Sequence, residues 1–352
     1  ALRVGPLSVR VVRLVGADHM TTTCDPLVHP EYAERAVSDL LTVLHDPRDL
    51  IELGRLSLES CPSEVLRHGL LTSPAVGSVT VYDDPLPQMV VDLPSDVDTY
   101  LARLSRRERH NIRKENRRLN REHLVVRADA LTDRDHYSAM DEFIELHQRE
   151  WVAKGRRGHF AEWHDARAFH HAFASVSAGA SRLRLRAIRA DGHLMAMSYA
   201  VRFGCRMHYL YSARSLDPRW HFCFPGRIAA YDLIRTAIAE GATLLDFGLG
   251  DYEYKAKLGA RRVPLHHVLG VRAALASRAR GAVLRGLALS HDLVGYHLWY
   301  LNLSRYVPAW RGSLYDGWIH TRMWPNDAPA LKRLVCRSRR RETNRDEIDD
   351  ES

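Results

Sequence analysis

The sequence predicts a mixed α/β (α+β) protein in which a mostly antiparallel sheet is flanked by helices. Three observations lead there. Between Leu183 and Ser212 three strand-like runs are separated by tight turns at Asp191-Gly192 and Gly204-Cys205, the pattern of an antiparallel meander. Segments with helical apolar spacing precede and follow that meander. Ser95-x-x-Asp98 and Ser105-x-x-Glu108 carry the spacing of capping boxes, which mark two helix starts.

The elements follow in order. Residues 7–15 alternate as a strand. Asp25-Pro26 introduces a helix over 31–44, with Ala33, Ala36, Leu40, Leu41 and Leu44 on one face. A strand at 50–53 and a short helix at 62–68 complete a small α/β unit. Strands at 78–82 and 88–93 are separated by Asp83-Asp84-Pro85, and Pro94-Ser95 marks a domain boundary. Two helices come next, one from Ser95 and one over 105–122, sharing a seam of Leu101, Leu104, Ile112 and Leu119 about 80° wide. A helix over 134–152, the basic turn Lys154-Gly-Arg-Arg-Gly158 and a helix over 163–178 lead into the meander (183–188, 194–203, 207–212), where Tyr209 and Tyr211 alternate to one side. Asp217-Pro218 and Pro225-Gly226 open a helix over 227–240 that Gly241 closes. A buried strand at 243–247, a short helix at 252–258 and a strand at 266–271 finish the fold. Residues 273–352 read as a helical extension whose end, a basic run at 337–341 and an acidic tip at 346–351, is expected to be disordered.

At 352 residues the chain can bury more than one core. Its 45% hydrophobic and 27% charged residues are those of a globular protein. The formal charge of +8 favours an anionic partner, whether a CoA-type phosphate group, a nucleic acid or an acidic surface. From Leu101 to Glu122 nine basic residues (Arg103, Arg106, Arg107, Arg109, Arg113, Lys114, Arg117, Arg118, Arg121) face three glutamates, a net +6. Three readings stand for that helix: a solvated face, a contact to an anionic substrate or cofactor, or a tRNA contact. Cys24, Cys61, Cys205, Cys223 and Cys336 are scattered and odd in number, which points away from a disulfide framework and toward a reducing, cytoplasmic setting. No apolar run reaches the length of a membrane span. The chain opens at Ala1, so an upstream piece is expected to have been removed.

The motifs Leu146-His147-x-x-x-Trp151, Gly155-x-x-Gly158-x-Phe160, Phe169-His170, Tyr209-x-Tyr211-Ser212, Pro225-Gly226 and Asp246-Phe247-Gly248…Tyr254-Lys255 occur in that order. Together they resemble the GNAT-superfamily acetyltransferases of cellulose-biosynthesis (CelD-like) type, relatives of the aminoacyl-tRNA-dependent Fem transferases. The resemblance covers roughly residues 100–271. It implies a full GNAT domain over 96–272, a degenerate first GNAT half over 1–95, and no metal. The implied activity is transfer of an acyl group, acetyl above all, from a CoA thioester to an amine or hydroxyl of a small molecule or saccharide. One alternative is a Fem-like transferase using aminoacyl-tRNA in natural-product or cell-wall biosynthesis; another is a binding module that kept the fold and lost the chemistry.

Residues bear these roles as follows. Pro225, Gly226 and Arg227 at a helix entrance suit a pyrophosphate, because glycine allows close approach and free N–H groups receive the anion. A bound phosphate would explain a cation in that first turn. Asp246, Asp251, Glu253, Tyr254 and Lys255 fall on one short stretch. Acyl transfer needs a base for the nucleophile, a donor for the leaving group and positive charge near the oxyanion. Asp251 or Glu253 fits the base, Tyr254 the donor and Lys255 the oxyanion or phosphate contact, the last matching a lysine implicated in the Fem relatives. The plainer reading is that Asp246 and Tyr254 tie the strand end down. The resemblance puts His147, Trp151 and Phe160 in an acceptor pocket, with Tyr211 and Arg113 as further candidates. His170-His171 with His164 and Glu162 show no second ligand set, so no metal is expected.

Overall fold

The computed structural model describes residues 2–4, 7–13, 23–43, 50–57, 59–73, 76–84, 86–129, 136–154, 158–161, 165–272, 274–291, 293, 294 and 298. The charged C-terminal run, Glu162, His164 and Gly155 lie outside them. The chain divides into two compact units, Ala1–Asp84 with Leu265–Ser352, and Pro85–Pro264.

In the first unit, β1 (Leu2–Val4) and β2 (Leu7–Val9) form an antiparallel hairpin. A four-stranded sheet is built from β3 (Val11–Arg13), β4 (Leu50–Ser57), β5 (Val76–Asp83) and, from far along the chain, β13 (Leu265–Arg272), in the order β3-β4-β13-β5. Helices α1 (Ala33–Val43) and α2 (Cys61–Thr72) supply Val37, Leu66 and Leu70 to a core with Ile51, Leu53, Leu56 and Val268. Helix α9 (Leu275–His291) follows β13.

The second unit is a seven-stranded sheet of order β12-β6-β11-β10-β9-β8-β7. Its strands are β6 (Gln88–Asp92), β7 (Val125–Asp129), β8 (Leu183–Ala190), β9 (His193–Phe203), β10 (Arg206–Arg214), β11 (Leu244–Leu249) and β12 (Arg261–Val263). The helices are α3 (Val97–Arg103), α4 (Arg106–Glu122), α5 (His136–Ala153), α6 (Ala166–Gly179), α7 (Pro225–Ala239) and α8 (Glu253–Lys257). Alternation along each strand sends one set of side chains to each face. Met89, Val91, Ala200, Met207, Leu245 and Phe247 meet α3, α4 and α7, while Leu183, Leu185, Met197, Tyr199 and Val201 meet α5 and α6. All neighbouring strands are antiparallel except β10 and β11, which run parallel with α7 between them in sequence.

Four expectations change. Strand β6, placed before a boundary at Pro94, is hydrogen-bonded to β11 and β12, so the compact division falls at Asp84 instead. The cap of α3 is Asp96, whose carboxylate accepts from Thr99 N at 2.7 Å, one residue past Ser95; Ser105 caps α4 as expected, accepting from Glu108 N. Strands β7 and β12, five and three residues long, add to the expected elements, and β12 is an edge with Arg261 and Arg262 exposed. Last, Tyr209 and Tyr211 do not share a face. Tyr209 pairs with Ala200 and Tyr211 with Tyr199, so Leu210 is an extra residue, a β-bulge that turns Tyr209 toward α7 and Tyr211 toward α5 and α6.

Helix α4 is locked to α7 by charge. Its two buried glutamates, Glu108 and Glu115, face Arg227 in the first turn of α7: Arg227 Nε donates to Glu115 at 3.1 Å, its Nη2 donates to the same carboxylate, and Nη1 lies 3.9 Å from Glu108. A cation at a helix N-terminus opposes the dipole; here two carboxylates from α4 offset it. Removing one partner of such a pair strands the other charge in a poorly solvated place. Glu115→Ala is therefore expected to lower unfolding stability by about 3 kcal/mol in urea titration, and Glu115→Ala with Arg227→Met to recover most of that loss.

Candidate functional site

Parallel strands β10 and β11 pair over only three positions, Arg206↔Leu244, Met207↔Leu245 and His208↔Asp246. Beyond that point β10 runs on to Arg214 and β11 to Leu249 without further pairing, so the sheet opens. Both strands are irregular at the opening. In β10 the bulge at Leu210 follows directly, and in β11 an extra residue between Asp246 and Leu249 breaks the register with β6. Gly248 at φ +70° takes up the second irregularity, a backbone angle that L side chains rarely adopt.

Asp246 sits at the point of divergence, 2% exposed. Its Oδ1 accepts from Gly248 N at 2.7 Å; its Oδ2 accepts from Gln88 Nε2 at 2.8 Å and lies 3.3 Å from His208 Nδ1. Burial pushes this carboxyl up, but the hydrogen bonds from His208, the Gly248 N–H and Gln88 outweigh it and hold Asp246 below the ordinary carboxylate range. The three side chains come from adjacent strands, β6, β11 and β10. A neutral His208 that donates its Nδ1–H to Asp246 presents Nε2 as an acceptor, and the ring is 31% exposed. Neither His208 nor Gln88 stood out in the sequence. The only available signal was that both hold the same strand parity as a buried aspartate, which requires knowing the register.

Lys255 is brought to the same place. It is buried in α8, and its ammonium donates to Leu249 O at 2.6 Å and Gly248 O at 3.4 Å, at the end of β11. Burial pulls its pKa down to about 8, against the raising pull of Asp246 and then Asp251. Tyr254 packs its ring against Phe247, centroids 6.4 Å apart, on the side of α7, and burial pushes its hydroxyl up to about 12. Asp251 and Glu253 are differently placed: both are exposed and ion-paired, Asp251 with Arg262 at 3.2 Å and Glu253 with Lys257 at 2.8 Å. The hydrogen bond to Lys257 holds Glu253 below its usual range.

The entrance of α7 lies by the far end of β10. Phe224, at φ +48°, makes the turn into Pro225, and no side chain caps the helix. A Cβ on Gly226 would meet only Arg214 Cδ, at 3.7 Å, so the space above this backbone is open. Arg214 is held by Glu150 through Nε at 2.8 Å, and Glu150 also pairs with Lys154.

The residues His147, Trp151, Phe160 and Tyr211 do come together, in a group of rings that includes His159, His170 and Tyr199 on the α5–α6 side. His147 Nδ1 lies 2.7 Å from Ser212 O and Nε2 3.0 Å from His159 Nδ1, which orients both rings. Gly158 shapes this turn. Its φ is +74°, and a Cβ there would fall 2.2 Å from Gln148 Oε1. His170 Nδ1 and Tyr199 Oη are buried without a hydrogen-bond partner. His171 turns away to Asp141, 3.1 Å distant. Arg113 does not join the ring group; it is exposed on α4, where its charge is felt by Tyr231. Among the described residues no three His, Cys, Asp or Glu side chains gather as a metal site would need, and no helix is long and apolar enough to cross a membrane.

Residues 106–256 match the family model described as "Acetyltransferase (GNAT) domain". That match and the helix-flanked, mostly antiparallel sheet support a GNAT-superfamily acyltransferase domain in this part of the chain. No curated protein matches the sequence. Among solved structures, the chain is similar to FemX (14% identity, 77% of this chain and 81% of the other, TM-score 0.48). It is also similar to the C-terminal domain of a putative lysylphosphatidylglycerol synthetase from Agrobacterium fabrum (12% identity, 74% and 77%, TM-score 0.43). A third likeness is to L-PGS from Bacillus licheniformis (12% identity, 72% and 78%, TM-score 0.44).

The ring group gives the second unit a signature in acid. Burial, more than the neighbouring charges, pulls His147 and His170 down to about 4 and His159 to about 3. Below pH 6.5 the unfolded chain binds protons at these positions that the folded chain refuses, so stability falls as pH drops from about 6.5 toward 4. Urea midpoints measured from pH 7 to pH 4.5 are expected to decline over that window. His170→Phe, which removes one of these groups and an unpartnered nitrogen, is expected to make the decline shallower.

Proposed function

We propose that the second unit transfers an acyl group from an acyl-CoA thioester to an amine or hydroxyl of a small-molecule or saccharide acceptor. The observation that carries this reading is the opening between β10 and β11, with an uncapped helix entrance at one end and, at its apex, buried Asp246 paired with half-exposed His208. The thioester would lie in the opening. The pyrophosphate would meet the α7 entrance, where Gly226 leaves room and the helix dipole favours negative charge. Acetyl is the expected acyl group.

In this reading His208 is the general base. Asp246 fixes its tautomer and stabilises the imidazolium as the acceptor N–H or O–H gives up its proton to Nε2. The acceptor attacks the thioester carbonyl, and the tetrahedral oxyanion collapses with cleavage of the C–S bond. Tyr254, protonated across the physiological range, donates to the departing sulfur, and Lys255 supplies positive charge at the end of β11. Asp251 and Glu253 receive no proton-transfer role, because each already holds a cation at the surface. The group around His147, Trp151, Phe160 and Tyr211 walls the acceptor side. A degenerate GNAT half in residues 1–95 belongs to the same proposal.

Two outcomes test it. Isothermal calorimetry should show saturable CoA binding that Gly226→Arg abolishes; no CoA binding by the native chain would overturn the reading in favour of the aminoacyl-tRNA donor. With a responsive acceptor in hand, His208→Gln should lower kcat by about 100-fold or more at unchanged CoA affinity.

A further inference from the structure

On the α7 side of the second sheet, arginines from the strands meet carboxylates from the helix. Arg184 of β8 donates to Glu240 at 2.7 Å, Arg202 of β9 lies 3.4 Å from the same carboxylate, and Arg186 of β8 donates to Asp232 at 3.0 and 3.1 Å. Arg127 of β7 stands opposite Ile188, two residues from Arg186, and so shares its face of the sheet. It has no such partner. Its Nη1 donates to Asn120 Oδ1 at 3.1 Å and its Nη2 to Asn116 Oδ1 at 3.0 Å, both on α4, and among the described residues no carboxylate lies at ion-pair distance. Its remaining N–H groups, Nε–H among them, have no protein partner there either. The guanidinium is part-buried, and burial pulls its pKa below the usual arginine range. A partly desolvated charge held by neutral amides alone is unfavourable until a counter-charge reaches it.

Three further groups converge on this point. On α4, Arg113 falls within about 60° of Asn116 and Asn120, on the side of the helix that meets Arg127. On α7, Tyr231, Asp232 and Arg235 fall within about 100° of one another. Arg113 and Arg235 are exposed, and neither they nor the Tyr231 hydroxyl make a hydrogen bond or ion pair among the described residues. The charges of Arg235, Arg113 and Arg127 all reach Tyr231, and burial still pushes that phenol above its ordinary range, so it stays an O–H donor. The neighbouring carboxylates are Asp232, already held by Arg186, exposed Asp98 on α3, and Asp129, opposite Arg186 on β7. We infer that the place where α4, α7 and β7 meet is a binding site for the phosphate of a small phosphomonoester, held by Arg127, Arg113, Arg235 and Tyr231. Guanidinium forks match phosphate oxygens in geometry. A compact group carrying about two negative charges suits three cations that surround one point, where a carboxylate would leave most of their charge unmet. Along α7 the site is about 12 Å from Arg227, at the end of the helix away from the entrance assigned to the pyrophosphate. The inference does not rest on the acyl-transfer reading.

Isothermal calorimetry of phenyl phosphate on the full chain, in a phosphate-free buffer, tests it without any acyl substrate. Saturable binding is expected, weakened by about tenfold or more in Arg127→Gln, the loss of a charged hydrogen-bonding partner. Arg235→Gln, on an exposed side chain that holds nothing else, should weaken it by about tenfold at an unchanged urea midpoint, which separates lost binding from lost folding. Absence of saturable binding at millimolar phenyl phosphate overturns the inference, as does an affinity that neither variant alters. Benzoate bound as tightly as phenyl phosphate overturns the assignment to phosphate. Competition by CoA or by bulk tRNA would place these arginines in the donor's site and overturn a separate one; affinity unchanged by either is the expected result. CoA binding measured on the same preparation separates failure here from failure of the acyl-transfer reading.

Discussion

The opening between β10 and β11 is the constraint from which the rest of the second unit follows. Two parallel strands that stop pairing after three residues leave backbone N–H and C=O groups without ladder partners, and buried groups of that kind cost free energy unless something satisfies them. Asp246 accepts from Gly248 N at this point, and Lys255 donates to Leu249 O and Gly248 O where β11 ends. A carboxylate and an ammonium so deep in a sheet would be expensive ornaments in an ordinary strand. Here Asp246 ties β11 to β6 through Gln88, and His208 of β10 is oriented by the same carboxylate. Structural and chemical readings of Asp246 therefore coincide: the group that ties the strand end is the group that sets the imidazole.

The α7 entrance is stabilised by a second charge arrangement with consequences on both sides of α4. Arg227 occupies the first turn of α7, and Glu108 and Glu115 turn inward to meet it. That leaves α4 with cations alone on much of its exposed face. One pairing thus joins the two helices and leaves the exposed face of α4 basic.

Much of this was legible in the sequence and some was not, for definite reasons. The meander showed because Asp191-Gly192 and Gly204-Cys205 are strong turn signals, and the Ser105 cap showed because its spacing is local. The segment from Asp246 to Lys255 stood out by its density of polar residues next to a buried strand. By contrast, the His208–Asp246 and Gln88–Asp246 contacts join residues 38 and 158 positions apart, and only the strand register creates them. The bulge at Leu210 reversed the expected facing of Tyr209 and Tyr211 because one inserted residue changes the parity of everything after it. The ion pair between Arg227 and Glu115 was not legible either, because Glu115 stands among arginines 112 positions earlier. Local signals gave the elements; pairings across the sheet decided which side chains meet.

Hydrogen–deuterium exchange of the full chain with and without acetyl-CoA addresses the opened sheet most directly. If the thioester lies between β10 and β11 with its pyrophosphate at α7, amides in residues 209–214, 224–228 and 247–250 should exchange more slowly on binding. Bound CoA with no protection in those three segments, or with protection confined to residues 1–84, would contradict it.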